Sequence, residues 1–445
     1  MINRKKIVHT LFSDKKTLFC FLVLLTLVFT IIRTIMVRGE SNRWFLFYDE
    51  NDTFMDFYNS VYDAHFSNPY REKGVIYPPL AYVIYRFFGH MIPVSAITQG
   101  SKFLRTYQSA ILSFCLYLVV TISLFVFSLY MLLGKWKKGK TILPFVILVS
   151  SPVCYAFERG NMIMIAVSAL LLFLAWYDDE KTWKKEIALI SLAVAANIKI
   201  YPAVFGLLLL KHDKWKEALR CAVYALLLFL LLMPLFGGYS NIPVFIGNIF
   251  STSDGFETIY RTRVDIGNIF RYLSEHNMFT PISGLVADYI FPLGTMILCL
   301  TGLAVRDEWK KILCCSLICS ALPGFSWMYN LMYFIPAIIS CMYQPEHSQK
   351  NNVYFILLLL MFLYYPFNIM KFLPFPIDNS AYTYRIWDLI CTACNFLLFL
   401  MVLFDGLIEH SFNRYGQIVF LTDSPNSPCK EEPGKIRFFV DRSEN

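Results

Sequence analysis

Long uninterrupted apolar runs organise this chain. A helix that crosses a bilayer needs about 20 predominantly apolar residues. Residues 17–36 form the first such run, and further spans are expected at 106–133, 141–157, 161–177, 217–236, 284–304, 309–323, 326–343, 351–367 and 385–406. The stretch 186–210 is too long for one untilted helix, and Asn197, Lys199 and Pro202 interrupt it. It reads as two short arms meeting at a break. The pattern therefore predicts an all-α polytopic membrane protein of about twelve transmembrane helices. Two long polar segments, 37–105 and 237–283, connect spans as loops, and a polar tail occupies 409–445. No internal repeat is evident.

Composition agrees with the pattern. Of 445 residues, 57% are hydrophobic and only 16% charged, with mean hydropathy +0.51, against about 25% charged in soluble domains. This excludes a disordered chain, a nucleic-acid-binding domain and almost any water-soluble enzyme. The net charge of +8 is explained by short basic loops. Arg4, Lys5, Lys6, Lys15 and Lys16 precede the first run, which no small-residue cleavage site follows. An uncleaved signal anchor with a cytoplasmic N-terminus is expected. Lys135–Lys140, Lys181–Lys185, Lys211–Arg220 and Arg306–Lys311 mark the other cytoplasmic loops, and the tail is cytoplasmic too. The cysteine pairs Cys314–Cys315 and Cys391–Cys394 sit in apolar runs without a histidine, so they read as small buried hydrophobes.

This topology collects six polar motifs on the outer side: 49–63, 77–80, 158–161, 199–202, 265–268 and 325–330. Charge near the hydrocarbon core costs about 2.5–3.5 kcal/mol per residue on insertion scales, so it tends to mark function. Asn51 or Asp52 is a good N-cap for a helix running through Ala64. On it Asp52, Asp56, Asn59 and Asp63 form one polar stripe, and Phe54, Phe57 and Val61 form the apolar side expected to lie on the membrane. A rigid element holding an acid beside an acceptor hydroxyl is what a general base requires; a solvated stripe is the bland alternative. Tyr77-Pro78-Pro79-Leu80 fixes an extended entry that can open a helix. Gly160 permits a tight reversal in Glu158-Arg159-Gly160-Asn161, and Arg159 is a fork of donors suited to phosphate or to lipid head groups. Lys199, inside an apolar hairpin, needs an anionic partner: a lipid-linked phosphate, or an internal ion pair with Glu158 or an Asp.

These motifs, in order, resemble glycosyltransferase family 87 of the GT-C superfamily. The resemblance rests on Asp56-Phe57 ahead of Tyr62, Tyr77-Pro78-Pro79-Leu80, Gly160-Asn161, Lys199 three residues before Pro202, Gly267-Asn268 and Ser326-Trp327. It spans roughly 15–345 and implies a GT-C-like domain over 1–408. It also implies transfer of a sugar, often mannose, from a polyprenyl phosphate to a glycan or glycolipid at the extracytoplasmic face of the plasma membrane. No cofactor or metal is expected. The resemblance maps the base to Asp56, with Asp52 as runner-up. Lys199 and Arg159, with Arg261 or Arg263, would meet the donor phosphate. Asn59, Tyr77, Glu158, Asn161, Asn268, Trp327, Tyr329 and Asn330 are the expected substrate contacts. The family's late motif reads Ser-Trp followed by histidine; here it is Ser326-Trp327-Met328-Tyr329-Asn330, so Tyr329 or Asn330 must substitute. Two rivals are a polysaccharide polymerase or ligase using a lipid diphosphate, and a lipid or solute transporter.

Overall fold

The computed structural model describes residues 14–40, 46–47, 51–135, 142–210, 214–255, 263–275, 281–324, 326–344, 349–366 and 386–422. Among them the regular elements are all helical. Five helices are long and apolar enough to cross a membrane: Lys15–Met36, Gln108–Gly134, Trp215–Phe236, Ile282–Ala304 and Ile386–Ile408. Their outward faces leave large apolar side chains uncovered, including Leu25, Val119, Leu231, Met296 and Phe404. A stripe of that kind is stable only against lipid.

The remaining apolar runs are shorter helices packed inside the chain, and proline explains several of the breaks. The run 141–157 is two helices, Leu143–Leu148 and Ser151–Arg159, each with a proline in its first turn, where the missing N–H is harmless. The run 309–323 is the 13-residue helix Glu308–Ser320. The run 326–343 is a 3-10 turn, Met328–Phe334, leading into Ile335–Met342 with Pro336 at its start. The run 351–367 is helical only in Gln349–Leu360. The stretch 186–210 takes the expected broken form: Thr182–Ile198 ends at Lys199, which is extended, and a 3-10 helix, Tyr201–Leu209, follows. The last helix continues as Ile386–Thr422.

A second apolar core lies under the first long loop, distinct from the main one. Helix Met55–His65 buries Phe57, Tyr58 and Val61. Phe57 meets the rings of Tyr85, Phe114 and Tyr117 at 5.0–6.0 Å. The apolar face expected to rest on the membrane is therefore covered by the protein itself, chiefly by Pro79–Gly89 and the start of Gln108–Gly134. That anchoring makes the loop helix a rigid support. The far end of Gln108–Gly134 carries Lys135, which bridges Asp178 at 3.2 Å and Glu308 at 3.4 Å. Phe114 and Lys135 are 21 helical positions apart, about 31 Å at 1.5 Å per residue, close to one hydrocarbon thickness.

Candidate active site

Local chemistry at two turns builds the site. The first is residues 51–54, ahead of the loop helix. The helix starts at Met55, with Phe54 at its N-cap in the left-handed region at φ 64°. Neither Asn51 nor Asp52 caps it, because the Phe54 N–H donates to the Glu158 carbonyl at 2.7 Å and pins the turn outside the helix. A non-glycine residue so placed costs roughly 1–3 kcal/mol and needs surroundings that enforce it. Here the ring of Phe54 is held by Phe114 at 4.9 Å and by Phe47 at 6.4 Å. Thr53 Oγ1 donates to Glu158 Oε1 at 3.1 Å. Glu158, an expected substrate contact, thus supports this turn.

The second turn is Arg159-Gly160-Asn161. Gly160 ends helix Ser151–Arg159 at φ 67°, with its N–H on Phe157 O at 3.0 Å and that of Asn161 on Ala156 O at 3.1 Å. A Cβ there would stand 2.9 Å from both Phe114 and Phe57. Asn161 Oδ1 accepts from Ile163 N at 2.9 Å, which fixes its amide. The turn can then present two donors to one carboxylate. Arg159 Nη2 donates to Asp56 Oδ1 at 2.5 Å, and Asn161 Nδ2 donates to Asp56 Oδ2 at 2.7 Å. Arg159 Nη1 also pairs with Asp52. Asp52 therefore serves as the second acid on one guanidinium, and capping does not explain it.

Lys199 completes the centre. It is buried. Among the described residues no carboxylate lies within ion-pair distance of it, so the expected pair with Glu158 or an Asp does not form. Its Nζ instead lies 4.7 Å from the ring centre of Tyr329 and 5.5 Å from that of Tyr77. Such cation–π contacts are worth about 2 kcal/mol when desolvated. Asp56 is the charge that acts on it most directly. Tyr77 Oη accepts from Asn161 Nδ2 at 3.5 Å. Burial and the Asp56 charge push the Tyr77 phenol above its ordinary pKa, so it stays a neutral hydroxyl. Tyr155, invisible to the sequence reading inside an apolar run, stacks on Tyr329 at 6.2 Å and lies one turn before Arg159.

The other expected residues divide. Trp327 is brought in, with its ring 5.8 Å from the Arg159 guanidinium. Arg263 bridges backbone to backbone with Trp327, but its side chain is committed to Asp265 at 3.2 Å. Asn268 takes its place through the same Asp265, whose Oδ1 accepts the Asn268 N–H at 2.8 Å. Asn330 is buried and donates to Ser326 Oγ at 3.2 Å. Asn59 is exposed on the loop helix. Arg261 lies outside the described residues. Among the described residues no three of His, Cys, Asp and Glu gather as a metal set.

A half-buried carboxylate held by two donors near a buried lysine with no ion pair among the described residues suits group transfer from a phosphate. The model of glycosyltransferase family 87 matches residues 76–326, more than half of the chain. The chain belongs to glycosyltransferase family 87. It is an integral membrane glycosyltransferase, and the transporter alternative falls. No curated protein matches the chain. The family 87 match begins at Ile76, so Asp52 and Asp56 lie ahead of it and pair with the matched part through Arg159 and Asn161.

Proposed function

We propose that this family 87 enzyme moves a hexose, with mannose the first candidate, from a polyprenyl-phosphate donor to a glycan or glycolipid on the extracytoplasmic face, with inversion. The observation that carries the reading is Asp56, clamped by Arg159 and Asn161 next to a lysine that has no acid partner of its own among the described residues. Asp56 takes the proton of the acceptor hydroxyl. The acceptor oxygen attacks the anomeric carbon as the bond to the phosphate oxygen breaks. The departing polyprenyl phosphate carries the negative charge, and Lys199 meets it in a water-poor setting where the interaction is strong.

Arg159 has a different part in this reading from the one the sequence suggested. Two carboxylates already pair with its terminal nitrogens, so it positions Asp56, and Lys199 is left as the phosphate contact. Tyr329, one of the two residues expected to stand in for the family motif's histidine, shapes the lysine's surroundings with its ring. The basic residues Lys135, Lys181 and Lys214, at helix ends, face the cytoplasm, the acid centre faces the other side, and the short buried helices count toward the twelve spans. Transfer of radiolabelled sugar from lipid monophosphate and lipid diphosphate donors tests the proposal. Use of the monophosphate alone is expected; exclusive use of the diphosphate would overturn it.

A further inference from the structure

A largely apolar cavity with a few polar side chains lies behind the loop helix, and none of the residues of the acid centre lines it. It has a volume of about 260 Å³ and is lined by Val61, His65, Arg86, His90 and Val94, among others. Arg86 belongs to helix Pro79–Gly89. It donates to three backbone carbonyls, Ala64 at 2.9 Å, Phe66 at 3.2 Å and Leu235 at 3.4 Å, and its guanidinium lies 4.4 Å from the ring centre of Phe236. Those contacts use three of its five N–H groups. Among the described residues no carboxylate pairs with it, and none of the residues lining the cavity is acidic. His65 ends the loop helix and is exposed; His90, also exposed, contacts the Arg86 carbonyl through Nδ1 at 2.5 Å. Val94, which lines the cavity, is 59% exposed, and Phe87 and Met91, next in sequence to the lining residues Arg86 and His90, are 67% and 39% exposed.

A cation without an acid, two imidazoles and an exposed apolar rim describe one ligand chemistry. The Arg86 cation and the His65 imidazole suit the oxygens of a phosphate ester, His90 bounds the site with its Nδ1–H spent on the Arg86 carbonyl, and the exposed apolar side chains suit the acyl chains attached to it. We propose that this cavity binds the head group of an anionic glycerophospholipid and so fastens the loop helix carrying Asp56 to the membrane surface. The polyprenyl-phosphate reading of the acid centre is independent of this site.

The test uses the full chain in nanodiscs of phosphatidylcholine containing a minority of phosphatidylglycerol, with retained lipid read by native mass spectrometry. Wild type should retain phosphatidylglycerol preferentially. His65→Ala with His90→Ala should lose that preference about tenfold, the worth of one or two hydrogen bonds to an anion, whereas Lys102→Ala should not. Equal retention by wild type and the double variant would overturn the proposal. Glycerol phosphate is the soluble arm: if it binds while phosphatidylglycerol is held no better than phosphatidylcholine, the pocket takes a free anion and the lipid assignment fails. A diazirine-bearing phosphatidylglycerol provides a measurement without substitution. It should crosslink to residues 86–97 of the wild-type protein, and crosslinking only elsewhere would refute the site even if the double variant failed to fold.

Discussion

Replacing Asp56 by asparagine separates a base from a structural acid. The carboxylate accepts from Arg159 at 2.5 Å and Asn161 at 2.7 Å, and its side chain is only 16% exposed. An asparagine offers one oxygen and one NH₂ at those two points, so one donor must face another donor. Losing a charge-assisted hydrogen bond of this kind costs about 1.5–3 kcal/mol. Arg159 retains Asp52, so no bare buried cation is created. A protein with roughly 5–15 kcal/mol of stability should still fold. Turnover is a different matter: removing a positioned base lowers it by about 10²-fold or more, equivalent to about 2.7 kcal/mol in the barrier. The assay is single-turnover sugar transfer from lipid-linked donor, beside a thermal melt and a donor-binding measurement on the same sample. Asp56→Asn should melt lower, bind donor and barely turn over. Asp52→Asn, whose side chain is 39% exposed and meets Arg159 alone, should lose much less. Asn161→Ala keeps the carboxylate and should lose about tenfold at most, one orienting hydrogen bond's worth. Full turnover in Asp56→Asn would refute the base assignment, and the reverse ranking of the two acids would move the base to Asp52.

Four further outcomes are expected. Lys199→Ala should raise the donor KM by about 10- to 100-fold, the loss of about 1.5–3 kcal/mol in phosphate contact; unchanged donor affinity with a lowered melting point would make the lysine purely structural. Gly160→Ala should destabilise by roughly 2–5 kcal/mol, combining left-handed strain with overpacking against Phe57 and Phe114, and a wild-type melt would show that the turn relaxes. Burial pushes the half-buried Asp63 carboxyl up to about 6, with Lys73 opposing. The folded state therefore holds a proton that the unfolded state releases near pH 4, and this group makes stability fall as pH rises from about 4 to 6; Asp63→Asn should flatten that slope and raise the melting temperature at pH 7, and an unchanged slope would contradict the shift. A cysteine replacing exposed Lys102 should react with an impermeant maleimide from outside, and one replacing exposed Lys181 only after permeabilisation, in a background lacking the exposed Cys115; labelling of position 181 from outside would invert the topology.

What the sequence determined by itself follows from length and local backbone chemistry. A run such as 108–134 has no stable alternative to a lipid-facing helix, because its backbone must bond internally and its side chains exclude water. Pro79 opens a helix and Gly160 reverses the chain for reasons contained in single residues. The break at Lys199 was legible for the same reason. The order of the motifs carried the family, since order survives without coordinates.

Tertiary structure alone decided who partners whom. Arg159 is suited equally to phosphate, head groups or carboxylates, and only the arrival of residues 51–56 against helix Ser151–Arg159 gives it two acids. Asp52 looked like a cap because capping is local; the Phe54–Glu158 bond, 104 residues apart in sequence, moves the helix start past it. Lys199 read as a lysine in need of an anion, either a lipid phosphate or an internal acid, and two aromatic rings, from residues 77 and 329, flank it. Tyr155 gave no signal because an apolar run hides one phenol among its hydrophobes. Periodicity reports which face of an element is buried, but what covers that face depends on contacts between residues remote in sequence. The candidate active centre of this glycosyltransferase is made almost entirely of such contacts.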